Sequence, residues 1–175
     1  GVGKTISTIF PSVKAVGEEK VQRIFYLTAK TITRTVAYDT FDLLCRNGLH
    51  FRSIIITAKE KCCILDKPDC NPKKCEYAKG HFDRINDAIF DIITHELLID
   101  RDTILKYSAI HRVCPFELSL HVSEWCDGII CDYNYAFDPN AMLKRYFSDS
   151  DNDYVLLVDE AHNLIDRTRG MYSTT

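Results

Sequence analysis

Apolar residues along the chain follow two patterns, one typical of buried strands and one typical of helices. Short continuous apolar runs predict parallel strands over residues 23–28, 53–57, 128–131 and 154–158. Apolar residues at helical spacing predict helices over 5–16, 31–47 and 139–147. Pro11 is expected to disturb the first helix, and Gly48 to end the second. This alternation of helices and strands is typical of a parallel α/β domain.

The pattern changes between the second and third predicted strands. Residues 59–76 carry several cysteines and turn-forming residues with little periodicity, and the helices predicted next cover 82–98, 102–110 and 115–125. The sequence therefore predicts an α/β domain interrupted by a mainly helical, cysteine-rich insertion. The predicted boundaries are 1–57 and 126–175 for the α/β parts and 58–125 for the insertion.

Composition narrows the class of protein without naming a function. The chain is 46% hydrophobic and 27% charged, and its net charge of −3 gives no overall basic field that would indicate a nucleic-acid partner. No apolar run reaches the length of a membrane span, and no signal peptide opens the chain. Eight cysteines are many for 175 residues. We therefore expect a cytoplasmic protein, because a reducing compartment favours metal sites or unoxidised thiols over disulfides.

The first five residues, Gly1-Val2-Gly3-Lys4-Thr5, match the second half of a phosphate-binding loop. Glycines let backbone N–H groups converge on phosphate oxygens, a lysine reaches the terminal phosphates, and a Thr hydroxyl holds Mg²⁺. Gly-Lys-Thr is also a common tripeptide, so this segment alone leaves a purely structural interpretation open. Because the motif is incomplete and the sequence ends abruptly, we expect the chain to be a piece of a longer protein.

The strand predicted over 154–158 leads directly into Asp159-Glu160-Ala161-His162. ATPases with a phosphate loop need a carboxylate at the end of a neighbouring strand to anchor Mg²⁺. Glu160 is then the candidate general base, and His162 the candidate sensor of phosphate occupancy. An acidic turn that caps the next helix is the alternative for this segment alone.

Together, the two motifs favour an ATP site formed by residues from both ends of the sequence. Lys4 and Glu160 are the predicted catalytic residues, and Mg²⁺ is predicted between Thr5 and Asp159. The nucleotide-binding residues are predicted to be Gly1, Val2, Gly3, Lys4, Thr5, Asp159 and His162.

Four cysteines in or beside the insertion are candidate metal ligands. Iron–sulfur clusters are held by four thiolates, commonly on loops. Zinc sites with four cysteines usually contain pairs separated by two residues, which these cysteines do not form, so a cluster is favoured and zinc stays open. The candidates are Cys63, Cys70, Cys75 and Cys114.

The remaining cysteines are expected to play other parts. Only one of the adjacent Cys62 and Cys63 is expected to be a ligand. Cys45, Cys126 and Cys131 lie in apolar settings, where buried thiols without a ligand role are the better prediction.

These motifs, in this order, resemble the iron–sulfur superfamily-two DNA helicases of the XPD-like and DinG-like group. The resemblance rests on segments 1–5, 26–31, 61–64, 74–77, 114–116, 131–139 and 159–162. It implies a partial P-loop NTPase (RecA-like) sheet layer with an iron–sulfur insertion that holds a 4Fe-4S cluster. Within the insertion it aligns Cys63, rather than Cys62, with a ligand. The spacing of Cys63, Cys70 and Cys75 departs from the commonest pattern of the group.

The resemblance also implies ATP-dependent unwinding, usually 5′ to 3′, of DNA with a single-stranded tail or fork. Lys30, Thr31 and Arg34 are then candidates to contact DNA phosphates. Tyr133 and Tyr135 are candidates to stack on bases, although core packing is the favoured interpretation for both. The arch domain and the second motor domain of such helicases are absent from this sequence, so we expect the chain alone to be inactive.

Two alternatives stay open at this point. One is an ATPase of the same motor class whose cysteines bind zinc or no metal. The other is a metal-binding or redox module without enzymatic activity, in which Gly3-Lys4-Thr5 occurs by chance.

Overall fold

The computed structural model describes residues 2–148 and 153–172, apart from the side chain of Val2. The chain divides into two compact units, an α/β unit made of residues up to Leu49 and from Asp127 onward, and a helical unit, His50–Cys126. The helical unit therefore begins earlier than the insertion predicted from residue 58. None of the helices in the described ranges is long and apolar enough to cross a membrane.

The elements alternate between helices and strands along most of the chain. In chain order they are α1 Val2–Gly17, β1 Arg23–Leu27, α2 Thr31–Arg46, β2 Ser53–Ile55, α3 Lys59–Cys62, α4 His81–His95, β3 Leu98–Ile99, α5 Arg101–His111, α6 Pro115–Ser123, β4 Gly128–Cys131, α7 Asn134–Phe137, α8 Lys144–Phe147, β5 Tyr154–Val158, a 3₁₀ turn Ala161–Asn163 and α9 Leu164–Tyr172. All four predicted strands are present, and the parallel α/β architecture is confirmed.

In the α/β unit, β1 lies between β4 and β5 and pairs in parallel with both. Ile24 is in register with Gly128 on one side and with Val155 on the other. β1 and β4 are buried, whereas Leu156 of β5 is 42% exposed. Because the strands are parallel, the residues that follow their carboxyl ends meet at one edge of the sheet. Thr28 and Asp159 are two of these residues.

Helix α1 continues through Pro11, so the predicted disturbance of this helix is wrong. Proline has no N–H group and therefore leaves the carbonyl of Ser7 without its helical donor. Both residues lie on the exposed face of α1, where a carbonyl is accessible to solvent, and Ile9 and Val13 are buried on the opposite face. Exposure of the affected turn explains why the helix tolerates the proline.

The single helix predicted over 139–147 is also wrong, because a turn separates α7 from α8. The Asp138 carboxylate accepts a hydrogen bond from the Asn140 N–H at 2.9 Å, and the Asp138 carbonyl accepts one from the Met142 N–H at 2.7 Å. A short acidic side chain that bonds to the backbone two residues later favours a turn over a helix. Helix α8 therefore begins only at Lys144.

In the helical unit, helices α4, α5 and α6 pack against one another around one apolar face of α4. That face contains Ile85, Ala88 and Ile92, all buried. The Asp100 carboxylate begins α5 by accepting a hydrogen bond from the Thr103 N–H at 2.8 Å. Strands β2 and β3 pair in parallel in the same unit. Helix α3 and strand β3 were not predicted, because elements of four and two residues carry no readable periodicity.

Candidate functional site

A cavity of about 310 Å³ in the α/β unit is lined by the start of α1 and by the end of β5. Lys4 and Thr5 come from the first turn of α1, and Asp159 and Glu160 directly follow β5. The N-terminus of a long helix presents unpaired N–H groups and a partial positive charge, which favour a bound anion. The cavity therefore combines an anion-binding helix start, an ammonium group, a hydroxyl and two carboxylates.

Asp159 and the turn after it are held by four hydrogen bonds with neighbouring elements. The Asp159 N–H donates to the Leu27 carbonyl at 2.9 Å, which extends the pairing of β1 and β5 by one residue. The buried Thr28 hydroxyl donates to the Asp159 carboxylate at 3.5 Å. The Tyr133 hydroxyl donates to the Asp159 carbonyl and, at 3.3 Å, to that of Glu160. These contacts fix the position of the acidic turn at the cavity wall.

Glu160 has a left-handed backbone conformation, with φ 51° and ψ 48°. A non-glycine residue in this region is destabilised by about 1 kcal/mol, and such residues are enriched at functional sites. Its carboxylate lies 3.4 Å from Nδ1 of His162, whose side chain is largely exposed and does not line the cavity. Burial raises the pKa of Tyr26 on the cavity wall, a hydrogen bond with Thr5 opposes the rise, and the two carboxylates add to it.

A second cavity, of about 230 Å³, lies within the helical unit. All four cysteines singled out from the sequence line it: Cys63, Cys70, Cys75 and Cys114. Cys62 does not line it, because its side chain is 2% exposed and its Sγ lies 3.7 Å from the Lys59 carbonyl oxygen. Burial raises the pKa of Cys62 to about 11. The cavity therefore contains Cys63 and excludes its neighbour.

The four thiols share this cavity without converging on one point. Across residues 2–148 and 153–172, no group of three or more His, Cys, Asp or Glu side chains is arranged to hold a metal ion. Lys59 also lines the cavity, and its hydrogen bond with Cys70 raises the pKa of the Lys59 ammonium group. Burial raises the pKa of Cys114.

The family model described as DEAD_2 matches residues 19–175. The chain belongs to the DEAD_2 family. Among its relatives, the yeast (Saccharomyces cerevisiae) general transcription and DNA repair factor IIH helicase subunit XPD/RAD3 is 28% identical over 107 residues, which cover 61% of this chain. The human regulator of telomere elongation helicase 1 is 34% identical over 95 residues, which cover 54% of this chain. The predicted membership of an XPD-like group is confirmed.

A solved structure of an XPD helicase has the same fold as this DEAD_2 chain. The two superpose with a TM-score of 0.64 at 20% identity, over 97% of this chain and 29% of the other. The matched segments span only 13% of the yeast relative and 8% of the human relative.

The phosphate-loop residues of the predicted ATP site are described only in part in this DEAD_2 chain. Gly1 lies outside the described residues, as does the side chain of Val2. Gly3 is exposed in the first turn of α1.

The residues predicted to contact DNA differ in their exposure. Lys30 and Thr31 are exposed immediately before and at the start of α2. The Arg34 side chain is 15% exposed and its guanidinium lies 3.3 Å from the Asp132 carboxylate, so it already has an anionic partner. Tyr133 is 1% exposed and leaves no face of the ring for a base, so the core packing favoured from the sequence describes it and base stacking does not.

Tyr135 and the remaining cysteines have the following environments. Tyr135 is half-buried. Cys126 and Cys131 are buried, as predicted, and Cys45 is only half-buried. Burial raises the pKa of Cys131. None of the eight cysteines, all of which lie in described residues, forms a disulfide.

Two residues of α4 were missed by sequence reasoning. His81 is 3% exposed, lines the cavity, and accepts a hydrogen bond at Nδ1 from the Cys114 N–H at 3.2 Å. Arg84 donates hydrogen bonds to the carbonyls of Lys79 at 2.7 Å and of Arg112 at 2.6 Å. The only sequence signal was their place between Cys75 and Cys114, because neither belongs to a recognisable motif. Burial lowers the pKa of His81.

Proposed function

We propose that this chain is part of an ATP-dependent DNA helicase of the iron–sulfur type that moves 5′ to 3′ on single-stranded or forked DNA. The observation that carries the proposal is the cavity in which Lys4 and Thr5 meet Asp159 and Glu160. These residues lie near opposite ends of the sequence, and parallel pairing of β1 with β5 brings the acidic pair to the start of α1. DEAD_2 family membership and helicase relatives support the same assignment.

ATP binds with its phosphates at the start of α1, where backbone N–H groups and the Lys4 ammonium group offset their negative charge. The residues present fit Mg²⁺, because the Thr5 hydroxyl and the Asp159 carboxylate supply the oxygen ligands that this ion prefers. The ion would add charge neutralisation on the phosphate oxygens. Glu160 accepts a proton from the water that attacks the terminal phosphorus, and ADP leaves with the bridging oxygen.

Contacts at the cavity wall support a role of the Glu160 backbone in positioning the Glu160 carboxylate. The left-handed conformation of this residue turns the chain sharply after β5, and the Tyr133 hydroxyl holds the turn through two carbonyl oxygens. A carboxylate held in one place needs little reorganisation when the attacking water loses its proton.

Hydrolysis also requires groups from outside this chain. Phosphoryl transfer in motors of this kind is completed by arginines of a second motor domain. We therefore expect the chain alone to have negligible ATPase and unwinding activity. DNA phosphates would contact Lys30 and Thr31 at the start of α2, with a strong dependence on salt.

The cysteine cavity supports a 4Fe-4S cluster held by Cys63, Cys70, Cys75 and Cys114. Each thiolate of such a cluster binds a different iron atom, so the four sulfurs need to surround a volume rather than converge on one ion. Four thiols that line one cavity, beside the positive charge of Lys59, fit that requirement. The cluster would cross-link the segments of the helical unit that carry the four cysteines.

The metal content of the anaerobically purified protein tests the cluster. About four irons and four acid-labile sulfides per chain are expected for the wild-type protein, and a Cys114→Ser variant should lose them. A Cys62→Ser variant is the matched control, because Cys62 does not line the cavity, and it should retain the cluster. Zinc in place of iron would keep the ATPase assignment and exclude the iron–sulfur type. A folded protein with no metal would remove the cysteine part of the proposal.

DNA-stimulated ATP hydrolysis by the intact protein tests the motor. A Glu160→Gln variant should retain ATP binding and lose hydrolysis. Unchanged hydrolysis in that variant would exclude Glu160 as the general base, whereas a wild-type protein that neither binds nor hydrolyses ATP would favour a metal-binding module without enzymatic activity.

A further inference from the structure

His81 is a buried histidine with one ring nitrogen bonded and the other without a partner. It is the first residue of α4 and is 3% exposed. Its Nδ1 accepts the Cys114 N–H, whereas Nε2 is buried with no hydrogen-bond partner among the described residues. A buried polar atom without a hydrogen-bond partner is destabilising. In a native protein such an atom therefore indicates a further partner, such as a water, an ion or a bound group.

The bond to Cys114 determines which nitrogen of His81 carries the proton. A ring nitrogen that accepts a hydrogen bond from a backbone N–H has no hydrogen of its own. The neutral ring therefore carries its single hydrogen on Nε2. That hydrogen makes Nε2 a donor, so the missing partner is an acceptor.

Side-chain acceptors that line the cavity with His81 include the Glu117 carboxylate and the four cysteine sulfurs, and none of them bonds to Nε2. The ring lines the same cavity as the four cysteines. Its closest aromatic neighbour, Phe82, meets it edge to face with ring centroids 5.2 Å apart and carries no acceptor atom. The His121 ring is 6.3 Å away between centroids and does not line the cavity.

We propose that the Nε2–H of His81 donates a hydrogen bond to a sulfur atom of the iron–sulfur cluster held by the four cysteines. The inference rests on the proposed cluster and extends it to one residue of this chain. His81 is then a positioning residue with two contacts, since Nδ1 fixes the backbone of the ligand Cys114 and Nε2 contacts the cluster.

A donor on a cluster sulfur has a measurable consequence. Reduction adds negative charge to the cluster, and hydrogen bonds to its sulfurs stabilise the more negative state and raise the reduction potential. Removing the His81 donor should therefore lower the potential of the cluster.

A His81→Asn variant of the intact, cluster-loaded protein separates the two contacts. The Asn side-chain oxygen reaches about as far as Nδ1 and can still accept the Cys114 N–H, but Asn has no group at the position of Nε2. Spectroelectrochemical titration should show a three- to tenfold lower reduced-to-oxidised ratio at a fixed potential, where tenfold corresponds to about 59 mV for one electron. A His121→Asn variant is the matched control, and its ratio should change by less than about twofold.

An unchanged potential in a fully loaded His81→Asn variant would overturn the inference and leave the cluster itself established. If that variant does not load iron, pulsed electron paramagnetic resonance on the reduced wild-type protein labelled with ¹⁵N-histidine decides the question. A histidine nitrogen coupled to the cluster is expected, and its absence overturns the inference. A wild-type protein without iron would overturn the proposed cluster and this inference together, which distinguishes the two failures.

Discussion

The two cavities of this protein are built in different ways. The walls of the proposed nucleotide cavity, the one lined by Lys4 and Asp159, come from regular elements, the start of α1 and the end of β5. Backbone pairing in the sheet sets the place of β5. The walls of the cysteine cavity come largely from a segment between α3 and α4 without regular structure, and from the turn before α6. Strand pairing positions the functional side chains of the first cavity, whereas hydrogen bonds from individual side chains position those of the second.

This difference determines where each site is vulnerable. The ladder between β1 and β5 continues through the bond from the Asp159 N–H to Leu27, so most single side-chain changes leave the carboxylate where it is. The turn before Cys114 has no such ladder. It is held by the Arg84 guanidinium on the carbonyls of His111 and Arg112, and by the His81 ring on the Cys114 N–H.

The largest expected effect is a loss of ATP hydrolysis at one site without a change in the iron content of the other. In the intact protein, Lys4→Ala should reduce DNA-stimulated ATP hydrolysis by about 100-fold or more, because it removes a positive charge that stabilises the transferring phosphoryl group. Iron content should stay the same, because Lys4 belongs to the other unit. Steady-state kinetics and iron analysis on the same preparation check both halves. Lys14→Ala, an exposed change in the same helix, is the control; an equal loss of hydrolysis there would contradict the assignment.

The second prediction concerns Arg84, whose guanidinium holds backbone carbonyls in a turn that has no strand pairing. Arg84→Ala should destabilise the segment between Lys79 and Arg112 by about 2 kcal/mol, because charged hydrogen bonds to several carbonyls are lost. Faster amide hydrogen exchange in that segment and faster iron loss to a chelator are the expected readouts. Lys73→Ala removes an exposed charge from the same unit and should change neither. If Arg84→Ala retains iron as firmly as wild type, the turn is held by other contacts.

Tyr133 offers a smaller test, in the nucleotide site. Tyr133→Phe keeps the buried ring and removes the hydroxyl that bonds to the Asp159 and Glu160 carbonyls. A single hydrogen bond of this kind contributes about 1 kcal/mol, so kcat should fall about fivefold. Tyr172→Phe removes an exposed hydroxyl contact to the Phe137 carbonyl and should leave kcat unchanged. A wild-type kcat in Tyr133→Phe would show that the ladder alone positions the acidic turn.

The smallest effect is a pH dependence in the helical unit. A hydrogen bond with His111, the largest cause, and the charge of His95 lower the pKa of Asp91. A carboxyl with a lowered pKa in the folded state stabilises that state above its ordinary pKa, and the stabilisation is lost as pH falls through the lowered value. Protection factors for hydrogen exchange between residues 81 and 111, which correct for the slower intrinsic exchange in acid, should therefore fall with pH less steeply in Asp91→Asn than in wild type. Asp87→Asn, on the exposed side of α4, should follow the wild-type curve; identical curves for all three proteins would contradict the prediction.

The same contrast explains how much the sequence could reveal. The four strands were predictable because short apolar runs of three to five residues, bounded by polar or turn-forming residues, are typical of strands in a parallel sheet. Once β1 and β5 are parallel neighbours, the residues after them must meet, which places Thr28 beside Asp159. Lys4 lies at the same edge because α1 begins there and ends near the start of β1.

The features that the sequence did not reveal depend on contacts between side chains and backbone. A proline inside a helix is disruptive where its turn is buried, and nothing local indicated that Pro11 lies on an exposed face. The turn at Asp138 and the occupied Arg34 depend on hydrogen bonds and ion pairs whose partners only the fold supplies. His81 and Arg84 belong to no motif, and their importance lies in the distances to the backbone before Cys114.

The buried Thr28 hydroxyl connects the proposed nucleotide-binding residues with the segment proposed to contact DNA. Thr28 bonds to the Asp159 carboxylate on one side, and to the Lys30 N–H and the Thr33 hydroxyl at the start of α2 on the other. An occupant of the nucleotide cavity that shifts Asp159 therefore acts on the segment expected to face the DNA backbone. Thermodynamic linkage is reciprocal, so DNA that changes the affinity for nucleotide through Thr28 has its own affinity changed by the same factor.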